Sequence, residues 1–380
     1  MQFDTRAIHD GQPPDPSTGA VTVPIYQTST YVQEAVGQLK DGYDYSRTAN
    51  PTRRALETCL ASLESAEHGF AFASGMAATT TVMHLLSPGD QVVSVNDVYG
   101  GTYRLFSKVY EPRGVRFAYL SADQCNTELE RHLDGAKMLW LESPTNPLLN
   151  VVDIASAAQT AHAAGALLVV VADPVNLGVL EGPGKLGADI VVGEGQGLGV
   201  PVGFGGPNLG VFAAKNELVR RMPGRLVGAT VDRDGKRGFV LTLQTREQHI
   251  RRAKATSNIC TNVALCALMA TIYLATLGRR GLVKVGELST AKAHYAAERL
   301  TAVPGVSLRF AQPFFKEFTL KLPKSPERVA AKLARQSILA GLPLKTLDRK
   351  LGDCLLVAVT ENRTKEEIDA FADALAKAVA

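Results

Sequence analysis

From residue 52 to about residue 206 the sequence alternates between two apolar rhythms. TRRALETCLASLESA repeats its apolar residues at helical spacing; GFAFAS (69–74) then reads as a strand and GMAATTTVMHLL as a helix. DQVVSV (90–95), VRFAYL (115–120), KMLWLES (137–143), LLVVVAD (167–173) and ADIVV (188–192) are further short apolar runs. GTYRLFSKVYEPRG, NTELERHLDG and IASAAQTAHAAGA lie between them with helical patterning. Runs without polar alternation are strands buried on both faces, and the intervening helices supply the cover. The rhythm therefore predicts an α/β fold with a mostly parallel sheet between helical layers.

The flanks differ. Residues 1–50 carry Pro13, Pro14, Pro16 and Pro24 and read as an irregular, extended arm. After residue 206 the chain becomes rich in arginine and turn residues, and a long apolar helix follows at 263–278. Residues 304–380 alternate VSLRFA, EFTLKL and CLLVAVT with two amphipathic helices, a small α+β unit. The expected division is an arm (1–50), a large α/β domain (51–280) and a small C-terminal α+β domain (281–380). At 380 residues and 46% hydrophobic, the chain can fill two such cores.

Composition narrows the function. A net charge of +4 without a basic run interleaved with aromatics argues against nucleic acid. No apolar stretch approaches the ~20 residues of a membrane span. The N-terminus lacks the basic and apolar regions of a secretory signal, and five scattered cysteines fit free thiols in a reducing cytoplasm. The histidines show no HExxH or HxxxH spacing, so no metal site is expected.

Four segments point to one ligand type. Ser74-Gly75-Met76 sits at a strand-to-helix junction, where free N–H groups and the helix dipole can hold a phosphate. Tyr45 and Arg47 stand two apart in an extended segment and can reach one phosphate together. Tyr99 follows a strand, at the edge where ligands of α/β sheets sit, and can stack on a pyridine ring. Asn146 lies after the next apolar strand and can bond a ring hydroxyl; Asp173 ends another strand and can pair with a protonated pyridine nitrogen. Each taken singly is equally an ordinary turn, cap or core residue.

YSRTANPT, SGMAA, NDVYGGTYRLF and LESPTNPLL occur in that order. With them, residues 1 to about 170 resemble the Cys/Met-metabolism family of pyridoxal phosphate enzymes, such as cystathionine γ-synthase and the cystathionine lyases. The resemblance implies the type I, aspartate aminotransferase-like fold. It also implies phosphate contacts from Gly75 and Met76, and from Tyr45 and Arg47 into a neighbouring subunit. Tyr99 would stack on the ring, and the enzyme would be a dimer or tetramer. It further implies a lysine that bonds the cofactor as a Schiff base. Overlaid from Gly187, that lysine falls near Gly197, in GEGQGLG, which contains none. Any cofactor held here is expected to be non-covalent.

Residues from about 167 onward resemble subunit 1 of the two-subunit glycine decarboxylase, on VVVADPVNLGVL, GADIVVGEGQGLGVPVGFGGPNLGVFAAK, the run from MPGRLVGAT to TSNICTN, and PFFKEF. That resemblance implies a lysine-free subunit whose partner, subunit 2, carries the lysine. Together the two resemblances describe a hybrid with its seam near 161–170. GEGQGLG is not GxGxxG and is followed by Gly/Pro-rich sequence, against a dinucleotide loop. Arg246, His249, Arg251 and Arg252 form an anion-binding cluster or a solvated helix face. The leading expectation is a glycine decarboxylase subunit 1-like protein. The alternatives are an impaired sulfur amino-acid enzyme and a folded, inactive chimera.

Overall fold

The computed structural model describes residues 3–35, 38–203, 206–219, 226–231, 237–242 and 263–380. Arg246, His249, Arg251, Arg252 and Cys260 lie outside them. The four described cysteines are buried and unpaired.

The arm opens with a helix, α1 (Phe3–His9), where an irregular segment was expected. The helix-breaking prolines all come later, from Pro13 on. Ala7 is only 1% exposed, and Cys59 Sγ sits 3.8 Å from its carbonyl oxygen, so tertiary packing carries this short helix. A minimal hairpin follows, β1 (Gln33–Ala35) with β2 (Gln38–Leu39). Then α2 (Pro51–Leu63) starts with proline at its first position, and the Asn50 side chain accepts from the N–H groups of Thr52 and Arg53.

Next come β3 (His68–Phe72), α3 (Gly75–Met83), β4 (Gln91–Val95) and α4 (Gly100–Leu105). The single helix expected over GTYRLFSKVYEPRG breaks into α4, a π turn at Phe106–Tyr110 and a 3-10 turn at Glu111–Arg113. Pro112 removes a donor there, and Gly114 leaves the helix at φ 90°. After β5 (Arg116–Leu120), α5 (Ala122–Thr127) begins ahead of the expected NTELERHLDG helix. Ser121 and Gln124 form a reciprocal capping box that fixes its start. Then follow β6 (Met138–Glu142), α6 (Ile154–Ala163) capped by Asp153, β7 (Leu167–Val171), β8 (Ile190–Glu194), β9 (Gly210–Ala214) and α7 (Asn216–Val219).

These strands form one seven-stranded sheet in the order β3-β9-β8-β7-β6-β4-β5. Strands β4 to β8 are mutually parallel; β9 alone reverses, between β8 and β3. All five residues of β6 are buried, as a strand covered on both faces requires. Trp140 is fully buried at its centre, edge-on to Phe106 with ring centroids 5.3 Å apart.

Strands β10 (Leu226–Val231) and β11 (Arg237–Thr242) form a separate antiparallel pair. Helix α8 (Ala264–Thr301) then runs on past residue 280, kinked at Gly278, where φ is 54° and ψ −169°. Its first half packs Ala267 and Leu274 with Leu56, Leu60 and Leu209. Its second half packs Ala293 and Leu300 into a second core. That core lies against an antiparallel sheet, β12-β13-β15-β14, from β12 (Ser307–Leu308), β13 (Glu317–Lys321), β14 (Leu342–Pro343) and β15 (Cys354–Ala358). Helices α9 (Pro326–Ala334) and α10 (Lys365–Val379) complete it. Among the described residues no helix is long and apolar enough to cross a membrane, and no three side chains of metal-ligating type cluster.

Candidate functional site

The carboxyl ends of the parallel strands β4, β6, β7 and β8 face one edge of the large sheet, the place where a doubly wound sheet presents ligands. Tyr99, Asn146, Asp173 and Gly197 all follow these ends. Ser74 opens α3 beside them: its Oγ accepts from Ala77 N at 3.2 Å.

Two buried carboxyls hold the loops in place. Asp97 Oδ2 accepts from Thr145 Oγ1 at 2.5 Å and from Leu148 N at 3.1 Å, tying the turn after β6 to the end of β4. Glu142 Oε2 accepts from Tyr99 N at 2.9 Å. Burial pushes the Glu142 carboxyl up to about 8, with the neighbouring Asp97 charge adding to it and the Tyr99 N–H and Asn146 side chain opposing it. Asn146 stands in the turn after β6, its backbone N donating to the Asp97 carbonyl oxygen at 3.2 Å. Tyr99 is about half exposed, and its ring lies where a Cβ on Gly101 would be, 2.4 Å from Cε1.

Gly197, where the sequence overlay puts the lysine, lies in the loop after β8. A Cβ built on Gly197 lies 3.8 Å from Asp173 Oδ1 and 2.9 Å from Val175 Cγ2. A side chain there would have to shift the Val175 methyl, whereas at Gly193 a Cβ would meet the Ala172 carbonyl oxygen at 2.3 Å and glycine is required.

Both poles of the pocket already carry protein charges. Gly75 N donates to Glu194 Oε2 at 2.8 Å, and Leu209 N donates to Glu194 Oε1 at 3.3 Å. A carboxylate from the glycine loop thus sits at the α3 N-terminus, where a phosphate was expected. At the other pole Asp173 Oδ1 accepts from Val175 N at 3.0 Å, and Lys316 Nζ pairs with Oδ2 at 2.5 Å. Lys316 comes from the turn before β13, on the second sheet. A phosphorylated pyridine needs these two anchors and a bonding lysine. The residues as they stand do not fit it.

Tyr45 and Arg47 are placed apart from this pocket. The Arg47 guanidinium lies 4.7 Å over the Tyr45 ring, and Arg53 of α2 donates to the carbonyls of Ser46 and Thr48 at 2.8 and 3.0 Å. Among the described residues no contact links Tyr45 or Arg47 to Gly75, Tyr99 or Asp173 of the same chain. Met76 turns its sulfur toward Thr102 Oγ1, 3.9 Å away. Sequence reasoning gave no role to Glu194 or Lys316. A charged residue closing a buried parallel strand was the signal for the first; the second comes from a remote segment and left none.

The pattern of the family described as "Glycine cleavage system P-protein" matches residues 91–375. The match opens at β4, ahead of the 161–170 segment where the sequence placed a seam. A probable glycine dehydrogenase (decarboxylating) subunit 1 from Thermomicrobium roseum is 51% identical over 253 residues, 67% of this chain and 56% of that protein. The chain spans little more than half the length of that curated relative. Among solved structures, an inhibitor-bound glycine decarboxylase (P-protein) superposes with a TM-score of 0.72 at 39% identity, over 86% of this chain and 75% of that one. A cystathionine γ-lyase from Lactobacillus plantarum, complexed with L-serine, superposes at 0.77 and 25% identity, over 100% of this chain and 99% of that one. The fold is the type I fold of pyridoxal phosphate-dependent enzymes. The chain belongs to the glycine cleavage system P-protein family.

Proposed function

We propose that this chain is the lysine-free, subunit 1-type half of a glycine decarboxylase, completed by a second chain of the same fold that carries the Schiff-base lysine and the pyridoxal phosphate. The carrying observation is Gly197. The family match runs through it, and the loop at this place, beside Asp173, offers a glycine and no amine for the Schiff base that the chemistry needs. Without an amine to bond the cofactor and move protons, a chain of this fold contributes as a partner surface and scaffold. What its own residues do at the pocket is structural: Glu142 and Asp97 fix the loops after β4 and β6, and Glu194 and Lys316 neutralise the two poles.

Specific observations keep a second reading in view: an impaired enzyme of sulfur amino-acid metabolism, or an inactive chimera with that family's front. YSRTANPT and SGMAA lie ahead of residue 91, where the family match begins, and the cystathionine γ-lyase covers the whole chain. The experiment is glycine-dependent exchange of labelled CO₂, measured for this chain, for a lysine-bearing subunit 2, and for the two mixed. Exchange that needs both chains is expected, with a hetero-oligomer by sedimentation. No complex and no exchange would remove the reading. C–S bond cleavage by a homo-oligomer of this chain alone would establish the second.

A further inference from the structure

We propose that Glu194 and Lys316 are built-in substitutes for the two charged ends of a phosphorylated pyridine, and that they keep such molecules, and free phosphate, out of this pocket. The inference stands on the pocket alone and survives the failure of the proposed partnership.

The α3 N-terminus is suited to an anion. The helix has nine residues and no acidic residue in its own first turn, and its first position is a glycine, which brings backbone close. The anion it receives is internal. Glu194 reaches across from the end of β8 and bonds Gly75 N through one carboxylate oxygen and Leu209 N through the other. An incoming phosphate would have to displace a carboxylate tethered to the same sheet, an intramolecular competitor present at every ligand concentration. It would also meet that carboxylate's negative charge at close range.

The opposite pole repeats the arrangement with the signs reversed. Asp173 is where a protonated ring nitrogen would pair. Its Oδ2 is taken by the Lys316 ammonium, and a Cβ on Gly197 would lie 3.8 Å from its Oδ1. One anion on the helix and one cation on the aspartate reproduce the charge pattern of the absent molecule. Glu194 ends β8 and Lys316 comes from the turn before β13, so the Lys316–Asp173 ion pair also joins the large sheet to the small one. Glu194 is exposed and Lys316 only partly buried, so each can be changed without opening a core.

The test is a grid of variants and probes: inorganic phosphate by equilibrium dialysis, and pyridoxal and pyridoxal phosphate by absorbance titration. The wild-type chain should bind all three only weakly. Glu194→Ala should tighten inorganic phosphate and pyridoxal phosphate at least tenfold and leave pyridoxal unchanged. Lys316→Met should tighten pyridoxal and pyridoxal phosphate and leave inorganic phosphate unchanged. The double variant should bind pyridoxal phosphate tightest. Thermal melts confirm folding. If Glu194→Ala does not fold, Glu194→Gln keeps an acceptor for Gly75 N without the charge, and should still tighten phosphate severalfold. Wild-type chain that binds pyridoxal phosphate within threefold of the double variant would overturn the proposal. So would variants that gain nothing while folding normally.

Discussion

Glu64 → Gln should stabilise this protein, by an amount set by pH. Glu64 closes α2, is 5% exposed, and its Oε2 has no hydrogen-bond partner among the described residues. The loop at Gly182–Gly184 seals it: a Cβ on Gly182 would sit 3.3 Å from that oxygen, and one on Gly184 would meet the Glu64 carbonyl oxygen at 2.0 Å. Burial alone pushes the carboxyl from 4.5 up to about 8. A raised carboxyl pKa means that the native state holds its proton after the unfolded chain has lost it. Stability is then whole below pH 4.5 and drains away as pH climbs toward 8. At 1.36 kcal/mol per pH unit the loss is about 3 kcal/mol at pH 7 and about 5 above pH 8. Glutamine removes the titration but still buries an amide, which trims the gain to about 2 kcal/mol at pH 7. With an unfolding entropy of about 2.1 cal/mol/K per residue, this raises Tm by roughly 2–3 °C. Circular dichroism melts of both proteins at pH 5, 7 and 8.5 test it. The gap should widen steadily with pH and be absent or reversed at pH 5. A gap that does not change with pH, or a variant less stable at pH 8.5, would refute the buried, proton-holding carboxyl.

Three further outcomes follow from single contacts. Gly101→Ala puts a methyl 2.4 Å from the Tyr99 ring and 3.1 Å from Met76 Sδ, so the ring must swing away; the cost should be about 1–3 kcal/mol in urea unfolding, with altered Tyr99 fluorescence or NMR shifts. Asp189→Asn should destabilise by about 2 kcal/mol at pH 7. Burial would raise the Asp189 carboxyl, but Lys215, the Leu168 N–H and His162 outweigh it and hold it below the ordinary range, so the difference from wild type should close as pH falls below about 4. Gly197→Lys alone should give no borohydride-reducible adduct with pyridoxal phosphate, because Glu194 and Lys316 still hold the poles; an adduct on that lysine would count against their role.

The sheet was legible because its strands are unbroken apolar runs: all of β6 and nearly all of β4 are buried, and no partner choice needs knowing to read them. The α1 helix was not, since it owes its stability to α2 and α8 packing on Ala7 and Ile8, contacts that no local pattern records. The same divide runs through the site. Ser74, Gly75, Tyr99, Asn146 and Asp173 stand at strand ends and cap positions, which spacing reveals. Which groups satisfy them depends on contacts across the fold: Glu194 lies 119 residues from Gly75, and Lys316 lies 143 from Asp173. The short GEGQGLG run read as a loop without the lysine and not as a dinucleotide loop. Its glycine at 193 answers to the Ala172 carbonyl, a contact that the sequence does not record.

The most direct measurement of the central claim maps the reducible lysine. This chain is mixed with a lysine-bearing subunit 2, saturated with pyridoxal phosphate, reduced with borohydride and digested, and the labelled peptides are identified by mass. The account predicts label on the partner's lysine alone, at one site per pair of chains. A stoichiometric label on a lysine of this chain, such as Lys185, Lys215 or Lys316, would contradict it.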